Sequence, residues 1–370
     1  MIGDSYLDDI VLPRHGGRVE AVAEERGLEP GELIDFSANM NPLAPPDSLE
    51  TYLVNSLPSL ELYPDDRYGG FRDAVLDFLK EDTGAELARG NVVPGNGSVE
   101  LFRLFLRTVA AAGAARVLVP FPTFSEYSLQ ARLFGLAVER KRYQEVLGSA
   151  PGQLSDYDAV FLCNPNNPTG TLRGKETLVD FLERCKAGGT FLVLDEAFNE
   201  LSRPEESLVG FVNSFPNLVV VRSLTKAFTI PGLRIGYGVA SGELSDRMEK
   251  LRPPWNLNYL AAYVGTRFLE EERELLGDSR EYLEREREWL REKIEELGFQ
   301  LYPSSTNYLL FRTKETGLTA AEIVDRCLDY NVLVRNADSF YGIDQWHVRV
   351  AVKKREDNEK LVRALGEAVG

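Results

Sequence analysis

Short apolar segments alternate with longer mixed segments between about residue 90 and residue 240. Four apolar segments, 117–121, 159–163, 190–195 and 218–223, have the length and composition of buried strands. Segments between them, such as 174–188, have the mixed pattern of helices. This alternation predicts a doubly wound, mostly parallel α/β sheet. Ligands bind at the carboxyl ends of the strands in such sheets, so the polar residues there are the first candidates for chemistry.

The C-terminal third of the chain has a different pattern. Between residues 268 and 298, apolar residues recur with helical spacing among many Glu and Arg residues. This predicts a long amphipathic helix with a solvated face, which Gly277 breaks or starts. From Ser304 to Gly370, three strand-like runs (NYLLFR, VLVRN and WHVRVAV) combine with two helical stretches. We therefore expect a smaller α+β domain at this end.

Composition narrows the classes of partner. The chain has 370 residues, 44% of them hydrophobic, and a formal net charge of -16, which argues against nucleic acid as a partner. No apolar run is long enough to span a membrane, and the acidic start MIGDSYLDDI does not resemble a signal peptide. Cys163, Cys185 and Cys327 have neither metal-ligand nor disulfide spacing. We expect a cytoplasmic protein without a metal or a membrane partner.

Three strand ends carry polar residues that a core would not select. They are CNPNNPTG (163–170), DEAF (195–198) and SLTKAFTIPGLRIGY (223–237). Each has an ordinary explanation when taken alone, because Asn, Pro and Gly are common in turns. Asp195 could equally cap a helix, and Lys226 could be a surface lysine.

Taken together, the same residues describe one site. A cofactor that withdraws electrons through a ring needs a lysine for an imine link and an acid that keeps the ring nitrogen protonated. It also needs a donor for its phenolate oxygen and a cradle for its phosphate. Lys226, Asp195 and Asn167 can fill the first three roles. The glycine-rich segment GNGSVE (95–100), between a short apolar run and an apparent helix, can supply the cradle.

Further residues fit the same cofactor. Ser223, Thr225 and Arg234 add two hydroxyls and a cation for the phosphate. Phe124, in FPTFSEY, offers a flat apolar face for the ring, although a phenylalanine there could also be plain core.

The order GNGS, PTF, NPNNPTG, DEAF, SLTK, GLRIGY resembles the fold-type I aminotransferases over nearly the whole chain. The resemblance implies an aspartate-aminotransferase-like fold, with pyridoxal 5′-phosphate held by Lys226 as a Schiff base. It also implies a homodimer with sites at the interface. The corresponding domains are an N-terminal arm and substrate loop (1–40), a large cofactor-binding domain (41–250), and a small domain (251–370) linked by the long helix.

The resemblance assigns further roles position by position. Asn96, Gly97 and Ser98 match the phosphate-cradling turn, and Tyr63 matches the tyrosine that contacts the partner subunit's cofactor phosphate. Asn167, Asp195, Lys226 and Arg234 match the residues already deduced. The substrate-binding positions are Arg349 in HVRVAV, for the substrate carboxylate, and Asn39 in DFSANMNPL. One departure is Phe198, where many aminotransferases have a tyrosine whose hydroxyl bonds the cofactor phenolate and assists the asparagine.

Within this family the chain resembles the branch of histidinol-phosphate aminotransferases and L-threonine-O-3-phosphate decarboxylases. RHGGRVEAVAEERGL (14–28), Phe198 and PPWNLNYLAA favour the decarboxylases. His15 and Arg335 would then bind the phosphate of a small phosphorylated amino acid. By pattern alone, His15 could be a solvated or helix-capping residue, and Arg335 a surface arginine.

The reaction implied is decarboxylation of L-threonine O-3-phosphate to (R)-1-amino-2-propanol O-2-phosphate and CO2, in cobalamin biosynthesis. Lys226 or Tyr127 would protonate the α-carbon. The alternative is histidinol-phosphate aminotransferase, or another class I/II aminotransferase. A non-catalytic regulator that senses an amine is disfavoured by the complete set of Lys226, Asp195 and Arg234.

Overall fold

The computed structural model describes residues 10–370. Its strands are β1 (Ile34–Asp35), β2 (Val92–Gly95), β3 (Arg116–Phe121), β4 (Ala137–Arg142), β5 (Ala159–Cys163), β6 (Phe191–Asp195), β7 (Leu218–Ser223), β8 (Gly236–Ala240), β9 (Gln300–Leu301), β10 (Tyr308–Arg312), β11 (Val332–Leu333), β12 (Arg335–Asn336) and β13 (His347–Ala351). The α-helices are α1 (Val19–Arg26), α2 (Leu49–Ser56), α3 (Gly69–Thr83), α4 (Ser98–Ala111), α5 (Glu126–Leu133), α6 (Tyr143–Leu147), α7 (Pro151–Leu154), α8 (Lys175–Gly188), α9 (Leu224–Ala227), α10 (Gly242–Glu249), α11 (Tyr259–Glu271), α12 (Arg273–Glu296), α13 (Ala320–Leu328) and α14 (Arg355–Val369).

A seven-stranded sheet forms the large part of the fold, in the order β2-β8-β7-β6-β5-β3-β4. Strand β8 runs antiparallel to both of its neighbours, and the other paired strands are parallel. The mostly parallel sheet predicted from the sequence is therefore confirmed, with the four expected strands placed to within one residue.

Helices cover both faces of this sheet, which explains why its strands are apolar throughout. In β6, Leu192 and Leu194 pack into the core on one face, whereas Val193 packs into the core on the other. All five residues of β5 are buried. Each strand thus stabilises two hydrophobic layers, and the polar residues that follow it are held at a rigid edge.

The C-terminal part is built on an antiparallel sheet in the order β12-β13-β10-β9. The N-terminal segment joins this part, because Ile34 and Asp35 pair with Val332 and Leu333 in a separate two-stranded sheet. The run VLVRN is therefore divided between two sheets, with β11 in one and β12 in the other. We propose that the predicted boundaries at residues 40 and 250 separate these two units.

The long helix differs from its prediction. Two helices cover the region, and α11 ends at Glu271 before α12 begins at Arg273. Gly277 lies inside α12, so the interpretation that it breaks or starts the helix was wrong. A single glycine within a helix costs only about 1 kcal/mol, and α12 offsets this by burying Leu276, Leu283 and Leu290.

None of the helices in residues 10–370 combines the length and the apolar character that a membrane crossing requires.

Candidate active site

A cavity of about 500 Å³ opens at the carboxyl ends of β5, β6 and β7. The N-terminal segment and the loop before β13 complete its walls. The structure brings together most of the predicted site residues as lining of this cavity: His15, Asn39, Ser98, Phe124, Asn167, Asp195, Ser223, Thr225, Lys226, Arg234, Arg335 and Arg349.

Lys226 stands in the short helix α9, immediately after β7. Its side chain keeps some exposure into the cavity, but surrounding protein lowers the pKa of the amine to about 8, first through burial and then through the charges of Arg349 and Arg234. The N–H of Asn41 donates to the Lys226 carbonyl at 3.1 Å, and its side-chain amide donates to the Ala227 carbonyl at 2.7 Å. Asn41 thus fixes the lysine backbone, a role that the sequence did not reveal.

Asp195 ends β6 and is buried, 4% exposed. Its carboxylate accepts hydrogen bonds from the Tyr127 hydroxyl at 2.6 Å and from the Ala197 N–H at 3.0 Å. Burial raises the pKa of Asp195 to about 6, although both hydrogen bonds oppose this rise. A buried carboxylate at the end of a strand is suited to pairing with a cationic ring nitrogen.

Tyr127 lies behind Asp195. Its ring is fully buried, stacks on Phe161 with centroids 5.2 Å apart, and does not line the cavity. Burial raises the pKa of its hydroxyl well above the usual value. The interpretation that Tyr127 delivers a proton to the α-carbon was therefore wrong, and its hydrogen bond makes it a positioning residue for Asp195.

Asn167 and Arg349 are joined directly. One guanidinium nitrogen of Arg349 donates to the Asn167 side-chain oxygen at 2.5 Å, and another donates to the Ser37 carbonyl at 2.7 Å. Because its oxygen is engaged, Asn167 is left with its amide nitrogen as the group for a ligand. Burial lowers the pKa of Arg349 to about 10, and its Nε has no partner among the described residues.

Phe198, the departure from the family pattern, packs edge-to-face on Tyr308 with ring centroids 5.1 Å apart. The Tyr308 hydroxyl donates to the Asn166 carbonyl at 3.0 Å. Tyr308 and Arg349 thus hold the asparagine loop, in a site where Phe198 replaces the tyrosine of many aminotransferases. No sequence signal identified Tyr308, because its hydrogen bond to Asn166 spans 142 residues.

The predicted phosphate cradle forms at the N-terminus of α4, which begins at Ser98. Gly97 has a φ of 80°, a left-handed conformation that favours glycine, and a Cβ there would lie 2.7 Å from the Arg234 guanidinium. The hydroxyls of Ser223 and Thr225 lie 2.8 Å apart in the same cavity. Backbone donors, two hydroxyls and a cation converge as a phosphate site requires.

Two predicted cofactor ligands lie at the surface of this chain. Asn96 is exposed and its N–H donates to Glu100 at 2.6 Å, and its role in the cradle stays a prediction. Tyr63 is 79% exposed and its ring contacts that of Trp255 at a tilt of 31°, with ring centroids 4.5 Å apart. Neither residue lines the cavity of its own chain.

Cations gather on the wall formed by the N-terminal segment and β12. Arg335 donates to the Ser339 hydroxyl at 2.6 Å and to the Arg14 carbonyl, and burial lowers its pKa. Arg14 lines the same wall and was missed by the sequence analysis. His15 is held by Glu126, with 2.7 Å between the ring Nε2 and the carboxylate. This wall is suited to an anionic group.

Fold and site together define an enzyme that holds a phosphorylated ring cofactor through a lysine. The family model for "Aminotransferase class I and II" matches residues 31–365. The chain therefore belongs to this family. Its cofactor, pyridoxal 5′-phosphate, is the one predicted from the sequence, and Lys226, Asp195, Asn167 and the cradle fit its parts.

Individual relatives fall into two activity classes. The chain is 33% identical over 373 residues to a threonine-phosphate decarboxylase of Salmonella typhimurium, covering 95% of each chain. It is 29% identical over 374 residues to a histidinol-phosphate aminotransferase of Methanopyrus kandleri, covering 96% of this chain and 93% of the relative. The solved histidinol-phosphate aminotransferase of Clostridium acetobutylicum superposes with a TM-score of 0.81 at 27% identity, covering 91% and 99% of the two chains. The predicted aminotransferase-type fold is confirmed.

Proposed function

We propose that this chain decarboxylates L-threonine O-3-phosphate to (R)-1-amino-2-propanol O-2-phosphate and CO2, as a cytoplasmic enzyme of cobalamin biosynthesis. The observation that carries the proposal is the position of the HGG segment. His15 lines the cavity beside Arg14 and Arg335, and this segment is the part of the chain that resembles the decarboxylases more than the aminotransferases. The Salmonella typhimurium relative supports the same choice.

The side chains divide the work. When bound, pyridoxal 5′-phosphate withdraws electrons from the α-carbon of the amino acid. Arg349 binds the substrate carboxylate, while Arg335 and His15 bind the phosphate at the other end, so that the substrate is held by both anionic groups. Asp195, held by the hydrogen bond from Tyr127, would pair with the cationic ring nitrogen of the cofactor.

Lys226 is the proton carrier in this proposal. Its amine has a pKa lowered to about 8, so both protonation states are accessible near neutral pH, as a general acid and base requires. Tyr127 is excluded from this role because it is buried behind Asp195. We therefore infer that Lys226, in its ammonium form, donates a proton to the α-carbon in place of the CO2 that leaves.

The choice of reaction is tested by supplying two substrates separately. With L-threonine phosphate we expect CO2 and aminopropanol phosphate, and with histidinol phosphate plus 2-oxoglutarate we expect little glutamate. L-threonine without phosphate is the matched control and should react poorly. Efficient glutamate formation without CO2 release from L-threonine phosphate would reject the decarboxylase and support the aminotransferase.

We propose that the working form is a homodimer. One segment of the chain carries five large apolar or aromatic side chains that are each more than half exposed: Val54, Leu57, Leu60, Leu62 and Tyr63. An apolar surface of this kind is typical of a protein interface. An obligate interface buries about 2,000 Å² or more. Sedimentation of the holoenzyme should give twice the 41.4 kDa chain mass, whereas a fully active monomer would contradict the proposal.

A further inference from the structure

Glu126 is a buried carboxylate beside the active-site cavity, only 7% exposed. Both of its oxygens are engaged. One lies 2.7 Å from Nε2 of His15, and the other accepts from the Gln130 side-chain amide at 2.6 Å. Burying a carboxylate is costly unless it has a hydrogen-bonded or charged partner. No arginine or lysine among the described residues forms an ion pair with Glu126, so His15 is its partner.

The bond to Glu126 leaves one nitrogen of His15 available. Nδ1 makes no hydrogen bond within residues 10–370, and the ring lines the cavity against Phe124, with centroids 5.8 Å apart. A neutral histidine that donates from Nε2 can only accept at Nδ1, whereas an imidazolium donates from both nitrogens. His15 can therefore donate to Glu126 through Nε2 and to an anion through Nδ1 at the same time only when both ring nitrogens carry a proton.

The backbone around His15 is fixed independently of Glu126. The Gly17 N–H donates to the Ser37 hydroxyl at 2.8 Å, and the Arg14 carbonyl accepts from Arg335. A side chain at Gly16 would place its Cβ 2.3 Å from the Ser37 carbonyl oxygen, so this segment packs tightly against Ser37. Glu126 is thus needed to aim the imidazole rather than to hold the segment in place.

We propose that Glu126 is a positioning residue for substrate specificity, which holds the His15 ring facing the cavity so that Nδ1 donates to a phosphate. This rests on the proposed function in one respect, since the substrate is taken to carry a phosphate. The chemical class recognised is a phosphate monoester on a small amine or amino acid. Glu126 acts only through His15 and does not contact the substrate.

Kinetics of the holoenzyme test this role. For Glu126→Gln we expect KM for L-threonine phosphate to rise about tenfold or more, the effect of losing one charge-assisted hydrogen bond, with kcat within about twofold of wild type. Glu243→Gln, which removes the same charge from an exposed i,i+4 pair with Arg247, should leave both constants unchanged. A fall in kcat with KM unchanged would overturn the proposal.

A double-mutant cycle separates aiming from general stability. His15→Asn should raise KM by at least as much as Glu126→Gln, and adding Glu126→Gln to His15→Asn should cause no further rise. If Glu126 only supports helix α5, the second substitution will still impair the His15→Asn enzyme and lower its melting temperature, and the proposal fails.

Binding of inorganic phosphate to the holoenzyme separates this proposal from the choice of reaction. Calorimetry should show phosphate affinity falling about tenfold in Glu126→Gln and in His15→Asn, but not in Glu243→Gln. That result would stand even if L-threonine phosphate released no CO2, which would refute the proposed decarboxylation alone. Equal phosphate affinity in wild type and Glu126→Gln would refute the positioning role alone.

Discussion

Lys226→Met is expected to abolish turnover, by at least about 10⁴-fold, while the fold is retained. The amine is the nucleophile that attaches the cofactor and the group that carries the proton, and removing one catalytic proton carrier alone costs up to about 10⁴-fold. Methionine keeps nearly the same side-chain volume. Turnover of L-threonine phosphate measures the loss of activity, and circular dichroism checks that the fold is retained.

A covalent label locates the attachment point independently of turnover. Borohydride treatment of the wild-type holoenzyme should fix the cofactor on the peptide that contains Lys226. Lys250→Met is the matched control, because Lys250 is an exposed lysine paired with Asp246, and it should keep both label and activity. A label on any other lysine would refute the assignment of Lys226 as the residue that binds the cofactor.

Lys226→Met should also stabilise the cofactor-free protein. The pKa of Lys226 is about 8 in the folded chain against 10.5 in the unfolded chain, a gap of about 2.5 pH units and thus about 2–4 kcal/mol. Between these values the unfolded chain binds more protons, so wild-type stability rises with pH through this window and is lost as pH falls through 8.

Urea unfolding at several pH values checks this expectation. The free energy of unfolding of Lys226→Met should exceed that of wild type most below pH 8. This difference should shrink as pH rises toward 10.5. A difference in free energy of unfolding that does not change with pH would contradict the prediction, because it would mean that the Lys226 amine is well solvated in the folded chain. The cost of a buried lysine is consistent with a residue retained for chemistry rather than for stability.

The sequence predicted the parts of the structure that local pattern determines. Strands buried on both faces must be apolar throughout, so β5, β6 and β7 were recognisable, and the breaks in that pattern marked Asn167, Asp195 and Lys226. Parallel strands bring their carboxyl ends to one edge, which is why residues 59 positions apart, such as Asn167 and Lys226, line one cavity.

Contacts between segments that are far apart in the sequence could not be predicted from local hydrophobic patterns. Glu126 and Tyr127 occupy ordinary helix positions in the sequence. Their roles depend on contacts with His15 and Asp195, which lie 111 and 68 residues away, respectively. Gly277 was misjudged because a helix interior tolerates one glycine when neighbouring leucines are buried. Arg335 belongs to a two-residue strand, too short for alternation to show which way its side chain points.

Arg335→Gln is expected to raise KM for L-threonine phosphate about 30-fold or more. The guanidinium lines the cavity and is held by the Ser339 hydroxyl and the Arg14 carbonyl, so it is fixed before an anion arrives. Removing one partner from a buried charged contact costs about 2–5 kcal/mol, which corresponds to roughly 30-fold to several thousand-fold in affinity. Glutamine retains a polar side chain near Phe340 but not the charge.

The net charge of -16 makes this contact more important. A phosphorylated substrate is repelled by the protein as a whole, and only the local cations of the wall attract it. In Arg335→Gln, L-threonine phosphate should therefore lose most of its advantage over L-threonine, while kcat changes little because Lys226 and Asp195 are untouched. Arg312→Gln is the matched control, since Arg312 lies in the same antiparallel sheet but outside the cavity. An unchanged preference for the phosphorylated substrate in Arg335→Gln would show that its phosphate binds elsewhere.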